Sequence, residues 1–497
     1  YVYYVVDALH GDFGQSYRTN QDVVTEIMAR FPTSIKLSVF GVLLTVVFGI
    51  PIGILAAVKQ YSAMDMVSTI TAMFMATIFE NVRAGGACEG SIMITASHLP
   101  FNRNGFKFFT KDGGLDKKDI ARILELAEED AAKGTGECDT RAAQVADLAL
   151  MDAYCVHLQQ VIRIGVADGS TGAPDVAAAK KAAARPLAGM KIVVDAGNGS
   201  GGFFAEKVLA PLGADISGSQ FLEPDGMFPN HAPNPENREA MESISSQVIK
   251  TGADLGLIFD TDVDRSSAVD EQGREIARNS IVAMAAALVS EDHPGTTVVT
   301  DSITSRQLTE FLENKLGLNH LRYKRGYKNV INKAIELNRA GTDCQLAIET
   351  SGHAALQENY FLDDGAYLAA KIVIRAARLK RKGKPISSVL ADLEDPADEK
   401  EVRIPIRTED FGAYGDQVLS DLKDWVKTQD GMTLTEPNFE GVRIDFGDGW
   451  CLLRKSLHDP ILPMNMASDQ EGGCQAIEKV MKSFLNQYEK LGLEGVL

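Results

Sequence analysis

Three aspartates at alternate positions form the most specific chemical pattern in the chain. The segment LGLIFDTDVDRSSAVDEQG starts as an apolar run and ends in Asp260, Asp262 and Asp264, with Arg265 directly after them. Carboxylates at this spacing can converge on one hard cation. A calcium-binding EF-hand would need a preceding helix and a glycine at the position of Arg265. The pattern therefore favours Mg²⁺ with a phosphate ligand, and the alternative is an acidic, solvated turn without chemistry.

The segment SIMITASHLPFNRNGFK contains a candidate nucleophile. Its apolar strand, Ile92 to Ile94, leads into a glycine- and proline-marked turn that holds Ser97 and His98, and Lys107 follows. A serine beside a histidine is a weak signal and is often only part of a turn. No GxSxG elbow accompanies it, so the pattern does not indicate a hydrolase.

Two further polar segments could bind a sugar and a phosphate. In LAIETSGHAAL, Glu349, Ser351 and His353 surround a glycine and offer the hydrogen-bonding groups that vicinal hydroxyls require. In CLLRKSLHDP, Arg454 and Ser456 follow a short strand and could hold a phosphate dianion. Taken alone, the first of these segments could be any polar loop.

In this order and at this spacing, the four segments resemble the α-D-phosphohexomutase superfamily, and specifically its phosphomannomutase/phosphoglucomutase branch. The resemblance covers about residues 72–490, and KIVVDAGNGSGG and EPDGMFPNHAPNPE look like the opening of the family's second domain. The phosphate segment departs from the family, because His458 and Asp459 stand where many members have a Thr-Glu pair. The family's opening strands, with an arginine-bearing glycine loop, have no counterpart here.

The resemblance implies an isomerase that works as an intramolecular phosphotransferase. It would interconvert hexose 6-phosphate and hexose 1-phosphate, of mannose and/or glucose, through a phosphoserine and a hexose 1,6-bisphosphate. A hydrolase would instead need an activated water and no second phosphate site. The residues that the resemblance assigns to catalysis are Ser97, His98, Lys107 and Arg265; those for Mg²⁺ are phosphorylated Ser97, Asp260, Asp262 and Asp264; and those for substrate are Lys328, Glu349, Ser351, His353, Arg454 and Ser456.

The elements that must position these segments are those of an α/β protein. From about Ala72 onward, short apolar runs, glycine turns and amphipathic helices alternate. The resemblance implies three consecutive α/β/α domains with mixed sheets and a C-terminal α+β domain. We expect them at 72–185 (truncated, with the active serine), 186–285 (metal loop), 286–398 (sugar loop) and 399–497 (phosphate loop).

The N-terminal part predicts something different. Residues 37–58, LSVFGVLLTVVFGIPIGILAAV, carry no charge and are long enough to cross a bilayer, although a buried helix is the alternative. Residues 1–70 resemble the start of a permease subunit of a dipeptide or oligopeptide ABC importer. An alternative to the mutase function is therefore a fused or chimaeric chain with an inactive, truncated mutase part.

Composition limits the partners and the compartment. The formal net charge of -18 disfavours nucleic acid, and it predicts a cation and local basic residues wherever a sugar phosphate binds. The six cysteines are scattered, without a CxxC pair or zinc spacing. We therefore expect the mutase part in the reducing cytoplasm, tethered to the membrane if residues 37–58 span it. The sequence does not indicate the oligomeric state.

Overall fold

The computed structural model describes residues 13–15, 90–95, 97, 102–110, 113–115, 117–133, 150–168, 184–456 and 459–495. Contacts between Cα atoms divide the chain into two units, Tyr1–Met66 and Val67–Leu497, and every element below belongs to the second. The predicted membrane span over residues 37–58 lies outside the described residues, as does nearly all of the permease-like segment. Within the described ranges, no helix combines the length and the apolar character that a membrane crossing requires.

The first sheet is a small antiparallel one that presents the serine turn. Its strands are β1 (Gly90–Ile94), β2 (Phe106–Thr110) and β3 (Gly113–Gly114), in that order. Ile94 lies opposite Phe106, and the Thr95 N–H donates to the Gly105 carbonyl at 3.0 Å. The chain between them therefore forms the end of a hairpin, with helix α1 (Lys117–Lys133) after it.

The second sheet presents the metal loop. Its order is β4 (Ile192–Asp195), β5 (Leu255–Phe259), β6 (Ser266–Val269) and β7 (Glu275–Ile276). β4 and β5 are parallel, and every residue of both is buried, which explains why Asp195 at the end of β4 is their only charged residue. β5 and β6 are antiparallel, so the aspartate loop joins two neighbouring strands. Helix α3 (Arg238–Thr251), capped by the Asn237 side chain at 3.0 Å from Ala240 N, covers this sheet.

The third sheet has the order β11, β10, β8, β9. Its strands are β8 (Thr297–Thr300), β9 (Asn319–Arg322), β10 (Cys344–Ile348) and β11 (Ala354–Leu356). β8 runs parallel to β9 and β10, whereas β11 is antiparallel and returns the chain after the sugar loop. The helices of this region are α4 (Asn279–Ser290), α5 (Arg306–Glu310), α6 (Tyr327–Arg339) and α7 (Gly365–Arg381).

Helix α7 follows the third sheet in the chain but packs on the second. It contacts β5 and β6 and also α2 (Leu150–Asp168). At the crossing of the two helices, a Cβ added to Gly165 would lie 2.6 Å from Ile374 Cδ1, so a larger residue here would displace the Ile374 side chain. One helix thus packs elements from three of the expected domains together, and the expected domain limits stay predictions.

The fourth sheet is antiparallel throughout. Its order is β12 (Asp398–Pro405), β16 (Ile461–Ser468), β15 (Gly449–Leu453), β14 (Val442–Asp445) and β13 (Thr433–Leu434). Helices α8 (Phe411–Val426) and α9 (Gly473–Leu485) cover one face. On the opposite face, Trp450 and Leu452 pack against Ile303 of the third region. The predicted mixed α/β architecture is confirmed.

Candidate active site

The metal loop brings its three carboxylates together. Oxygens of Asp260, Asp262 and Asp264 lie within 4.8 Å of one another, and all three residues are buried. Oδ1 of Asp262 and Oδ1 of Asp264 have no hydrogen-bond partner among the described residues. Buried carboxylate oxygens without partners are costly, and a hard divalent cation satisfies them. The donor set therefore fits a metal ion.

The serine hairpin contacts this cluster directly. Thr95 Oγ1 donates to Asp262 Oδ2 at 2.9 Å, and Thr95 also accepts the main-chain N–H of Ser97 at 2.9 Å. Lys107 Nζ lies 3.4 Å from Asp262 Oδ2 and 3.2 Å from Asp264 Oδ2. Ser97 itself has a φ of 52°, a left-handed conformation that is strained for serine. The predicted nucleophile therefore sits on a strained turn next to the predicted metal ligands.

The three aspartates of the metal loop differ in the direction of their pKa shifts. Burial, followed by the charge of Asp264, raises the pKa of Asp260 and of Asp262. Burial also acts to raise the pKa of Asp264, but the positive charges of His353 and Lys107 outweigh it and hold that pKa below its usual range. Burial lowers the pKa of Lys107, yet Asp264 and Asp262 together raise it above its ordinary value. Lys107 is therefore protonated beside the carboxylates.

Arg265 fixes the loop from the other side. Its main-chain N–H and its Nε donate to the two oxygens of Asp260 at 3.1 and 2.9 Å. Its Nη1 reaches Asn234 Oδ1 at 3.3 Å and Glu236 Oε2 at 3.6 Å, while Arg325 Nη2 lies 3.4 Å from Glu236 Oε1. Glu236 therefore joins the arginine of the metal loop to an arginine of the third region.

The sugar loop lies between β10 and β11 and places buried polar groups beside the metal loop. Gly326 donates its N–H to Glu349 Oε1 at 2.5 Å, and Ser351 Oγ is buried without a partner among the described residues. Burial, and then the charge of Asp301, raises the pKa of Glu349 to about 7. Gly352 has a φ of +94°, and a Cβ there would lie 2.8 Å from the Ser266 carbonyl, so the close contact with β6 requires glycine.

His353 is oriented by a carboxylate that follows the loop. Its Nδ1 lies 2.7 Å from Asp363 Oδ2 and 3.9 Å from Asp264 Oδ1. Burial acts to lower the pKa of His353, but Asp363 and Asp264 raise it to about 10. The Tyr327 ring stacks on the imidazole at 5.2 Å, and Lys107 Nζ lies 5.9 Å from the centre of the same ring. His353 is therefore an imidazolium next to the metal loop.

The phosphate loop is less complete in the described residues. Arg454 is buried, and its Nε has no partner among them. Burial lowers the pKa of Arg454, and the positive charge of Arg325 adds to the effect. Ser456 Oγ accepts the Asp459 N–H at 3.2 Å. The structure thus provides a buried arginine close to Arg325.

Not every predicted residue joins this cluster. His98 and His458 lie outside the described residues. Lys328 Nζ donates to the Leu115 carbonyl at 2.8 Å, a contact with the end of the first sheet and not with the sugar loop. The structure brings together the carboxylates, Lys107, Arg265 and His353, with the Ser97 turn and the sugar-loop residues Glu349 and Ser351 beside them.

Sequence reasoning assigned no role to several residues that shape the site. They are Thr95, Glu236, Arg325, Tyr327, Asp363 and Glu440. Glu440 Oε2 accepts the main-chain N–H of Arg325 at 3.1 Å and the Ser302 hydroxyl. The conspicuous acid pair in FLDDGAY could have pointed to Asp363, which lies ten residues after His353. The other contacts join distant segments and leave no local pattern.

Comparison with known proteins agrees with this geometry. Three domain families described as "Phosphoglucomutase/phosphomannomutase, alpha/beta/alpha domain" I, II and III match residues 52–133, 173–273 and 277–396. A phosphomannomutase/phosphoglucomutase of Pseudomonas putida is 29% identical over 411 residues, which are 82% of this chain and 78% of that protein. A phosphoglucomutase of Neisseria gonorrhoeae is 28% identical over 80% of this chain and 78% of its own length.

The comparisons do not support the predicted permease resemblance. The domain I match begins at residue 52, inside both the predicted membrane span and the predicted permease-like segment. The match and the predicted permease-like segment thus overlap over residues 52–70, and the expected membrane tether is likewise unsupported.

Solved structures show the same fold. A phosphoglucomutase/phosphomannomutase family protein from Burkholderia thailandensis superimposes with a TM-score of 0.65 at 23% identity, covering 83% of this chain and 79% of that one. The open form of parafusin, a phosphoglucomutase from Paramecium, gives 0.57 at 14% identity, covering 83% and 80%. With three consecutive domain matches, relatives aligned over most of their length and this fold, the chain belongs to the phosphoglucomutase/phosphomannomutase family.

Proposed function

We propose that the chain is a hexose-phosphate mutase that transfers a phosphoryl group between Ser97 and the hydroxyls at the two ends of a hexose. The observation that carries this proposal is the contact of the serine hairpin with the metal loop, where Thr95 and Lys107 reach the carboxylates of Asp262 and Asp264. This contact supports a nucleophile whose phosphate shares a cation with the aspartates. It makes phosphoryl transfer the reaction class that the site favours.

Asp260, Asp262 and Asp264 would hold one Mg²⁺ together with the phosphate on Ser97. When bound, the cation supplies charge neutralisation that lets a hydroxyl approach a phosphoryl group. Arg265 keeps Asp260 in place with two hydrogen bonds, and Thr95 holds Asp262 with one. Both residues are therefore positioning residues for the cation.

Phosphoryl transfer then needs one P–O bond to form and one to break. A sugar hydroxyl attacks the phosphorus of phosphorylated Ser97, the bond to Ser97 Oγ breaks, and a hexose 1,6-bisphosphate results. Protonated Lys107 donates a proton to the leaving Oγ, and His98 accepts the proton of the attacking hydroxyl. The bisphosphate then turns over, and Ser97 Oγ attacks the phosphorus of its other phosphoryl group. The bond from that phosphorus to the sugar oxygen breaks, His98 gives its proton to this oxygen, and Lys107 takes up the proton of Ser97 Oγ.

The substrate is a mannose or glucose phosphate in this proposal. Arg454 and Ser456 bind the phosphate that does not react, and Glu349, Ser351 and imidazolium His353 hydrogen-bond the sugar hydroxyls. Few contacts read the configuration at each carbon, so we expect both sugars to be accepted. We place the reaction in the cytoplasm, where hexose phosphates occur, and the four cysteines in the described residues are free thiols there.

The test is turnover of glucose 1-phosphate and mannose 1-phosphate, followed by ³¹P NMR with and without a trace of hexose 1,6-bisphosphate. A mutase is primed by the bisphosphate and releases no inorganic phosphate. Ser97→Ala abolishes turnover, whereas Ser388→Ala, at a serine that only donates to the Pro385 carbonyl, leaves it unchanged. Stoichiometric release of inorganic phosphate would show a hydrolase instead. A large ratio of kcat/KM for one sugar over the other would refute dual specificity.

A further inference from the structure

Val263, between the second and third aspartates of the metal loop, has an unfavourable backbone conformation. Its φ is 62°, and the residue is 1% exposed. A left-handed φ is an outlier for a β-branched residue, and such a conformation persists only where the surrounding structure enforces it. Because Val263 separates Asp262 from Asp264, its backbone sets the relative direction of these two side chains. The contacts that hold Val263 therefore bear on the cation site.

The first residue of α7 holds Val263. Gly365 donates its N–H to the Val263 carbonyl at 3.1 Å. A Cβ added to Gly365 would lie 2.6 Å from the carbonyl carbon of Arg265, so the start of α7 lies directly against the main chain of the metal loop. On the other side of the loop, Ser200 donates its N–H and its hydroxyl to the Thr261 carbonyl at 2.9 and 2.7 Å. The two anchors act on different residues, and the anchor of Val263 comes from α7.

Asp364 fixes the start of α7. Its Oδ1 accepts the main-chain N–H of Tyr367 at 2.9 Å, which is a helix N-cap, and its Oδ2 accepts Asn359 Nδ2 at 2.9 Å. A third donor comes from α2, because the Tyr154 hydroxyl donates to Oδ1 at 2.7 Å. Asp364 is 1% exposed and Tyr154 is 3% exposed, so water does not replace this bond.

These contacts form one series from α2 to the metal loop. Tyr154 donates to Asp364, the next residue donates to Val263, and Val263 lies between two of the aspartates. A buried carboxylate that loses a donor is destabilised, so the loss of the tyrosine hydroxyl favours a shift of the helix start. Close packing passes such a shift on to the metal loop, because Gly365 touches its main chain.

We propose that Tyr154 and Asp364 are positioning residues for the cation. Through the start of α7, they keep Val263 in the conformation that turns the neighbouring carboxylates toward one ion. The relevance to phosphoryl transfer rests on the proposed mutase function, whereas binding of the cation is measurable without turnover.

The test measures cation binding to the full-length chain with Ser97→Ala in every sample, so that phosphorylation of this serine cannot differ between variants. Electron paramagnetic resonance of free Mn²⁺ gives the dissociation constant, since Mn²⁺ takes the same carboxylate ligands as Mg²⁺. The binding that Asp262→Asn removes identifies the site. Tyr154→Phe lacks only the hydroxyl, and it should weaken this binding by about tenfold. Unchanged affinity overturns the proposal, as does a parent chain that binds no Mn²⁺ at this site.

Tyr488→Phe is the matched control. The Tyr488 hydroxyl donates to Asp421 Oδ2 at 2.8 Å in the C-terminal region, so this variant also loses a bond from a tyrosine to an aspartate. It should leave the affinity for Mn²⁺ unchanged. An equal loss of affinity in both variants would show a general effect of lowered stability and would overturn the proposal.

Two substitutions of Asp364 provide a second measurement. Asp364→Asn keeps an oxygen that can accept from Tyr154 and Tyr367, whereas Asp364→Ala removes it. Both variants lose the same negative charge, so their difference reports the hydrogen bonds. The affinity for Mn²⁺ should be lower in Asp364→Ala by about tenfold. If Tyr154→Phe does not fold, this comparison decides, and equal affinities overturn the proposal.

The outcome is independent of the mutase test. Weaker Mn²⁺ binding in Tyr154→Phe, in a chain that does not interconvert hexose phosphates, contradicts the proposed function and leaves the positioning role standing. Turnover of hexose phosphates with unchanged Mn²⁺ affinity in Tyr154→Phe does the reverse.

Discussion

Asp262 is the carboxylate on which the serine hairpin and the metal loop meet. Asp262→Asn removes one negative charge from a buried cluster, so we expect metal-dependent turnover to fall by more than roughly 100-fold while the fold is kept or stabilised. The measurements are kcat/KM with Mg²⁺ and the shift in Tm on adding Mg²⁺. In the variant, kcat/KM should fall and the Mg²⁺-induced shift in Tm should disappear. Full activity in this variant, or in excess chelator, would exclude the loop from catalysis. Asp225→Asn, on an exposed turn, is the matched control.

The carboxyl group of Glu349 makes the free energy of unfolding depend on pH. Its folded-state pKa of about 7 lies above the ordinary value of 4.5, so folding takes up a proton between these values. The stabilisation is present below about pH 4.5 and is lost as the pH rises through about 7. The glutamine in Glu349→Gln does not titrate. The free energy of unfolding of this variant, relative to that of the natural chain, should therefore rise by about 1–3 kcal/mol from pH 5 to pH 8.

Urea unfolding at both pH values, in chelator, measures this difference. The exposed Glu242→Gln serves as the control for the loss of one carboxylate. Equal stability differences at pH 5 and pH 8 for Glu349→Gln would show that the folded-state pKa is not raised.

Sequence reasoning succeeded at this scale where the pattern was local. Asp260, Asp262 and Asp264 alternate directly after an apolar strand, a local pattern that predicts their convergence, and the structure brings them together in the loop between β5 and β6. Packing of three separate segments brings Glu236, Arg325 and Glu440 into contact. The residues next to each of them in the sequence do not predict this contact. His353 was placed among sugar ligands, but its charge depends on Asp363, which tertiary packing brings to it.

At the scale of elements, the turn between β10 and β11 depends on one glycine. Gly352 needs a positive φ and lies against β6, whereas Gly341 has a similar φ of +87° with nothing within 4 Å of an added Cβ. Gly341→Ala should therefore cost only the backbone strain, about 1–2 kcal/mol. Gly352→Ala adds a clash with the Ser266 carbonyl and should cost about 2–4 kcal/mol, with a fall in kcat/KM.

Chemical denaturation of both variants provides the comparison. Equal costs at the two positions would mean that the approach of the sugar loop to β6 is not tight. The pattern ETSGH predicted a polar loop around a glycine, but the need for that glycine comes from a strand of another sheet.

For the whole molecule, Arg443 is a side chain that joins the fourth sheet to the third region. It is buried, and it donates to the Ser302 and Thr304 carbonyls while stacking on Trp450. Arg443→Met leaves both carbonyls without these donors, at about 1–3 kcal/mol for each. We expect the C-terminal domain to detach, which small-angle scattering would register as a larger radius of gyration.

Calorimetry should then show two unfolding transitions where the natural chain shows one. Arg238→Met, at an exposed helix position paired only with Glu242, is the control and should leave both measurements unchanged. An unchanged radius of gyration in Arg443→Met would mean that other contacts hold the domain.

Sequence reasoning at this scale anticipated the α/β class, because apolar strands and amphipathic helices alternate visibly. Near the N-terminus, the predicted membrane span over residues 37–58 is not supported: it lies outside the part of the chain that the structure describes, and the domain I match starts within it. Apolar length alone does not separate a membrane span from the buried elements of a large domain.

Contacts from Asp260 through Arg265, Glu236 and Arg325 to Glu440 form one continuous series across three regions of the chain. We expect this series to link cation affinity to attachment of the C-terminal domain, and reciprocity would then govern the two equilibria. Any factor by which attachment raises the affinity for the cation is the same factor by which the cation favours attachment. A chelator should thus loosen a domain that holds none of the three aspartates, and Glu236→Gln should uncouple the two processes.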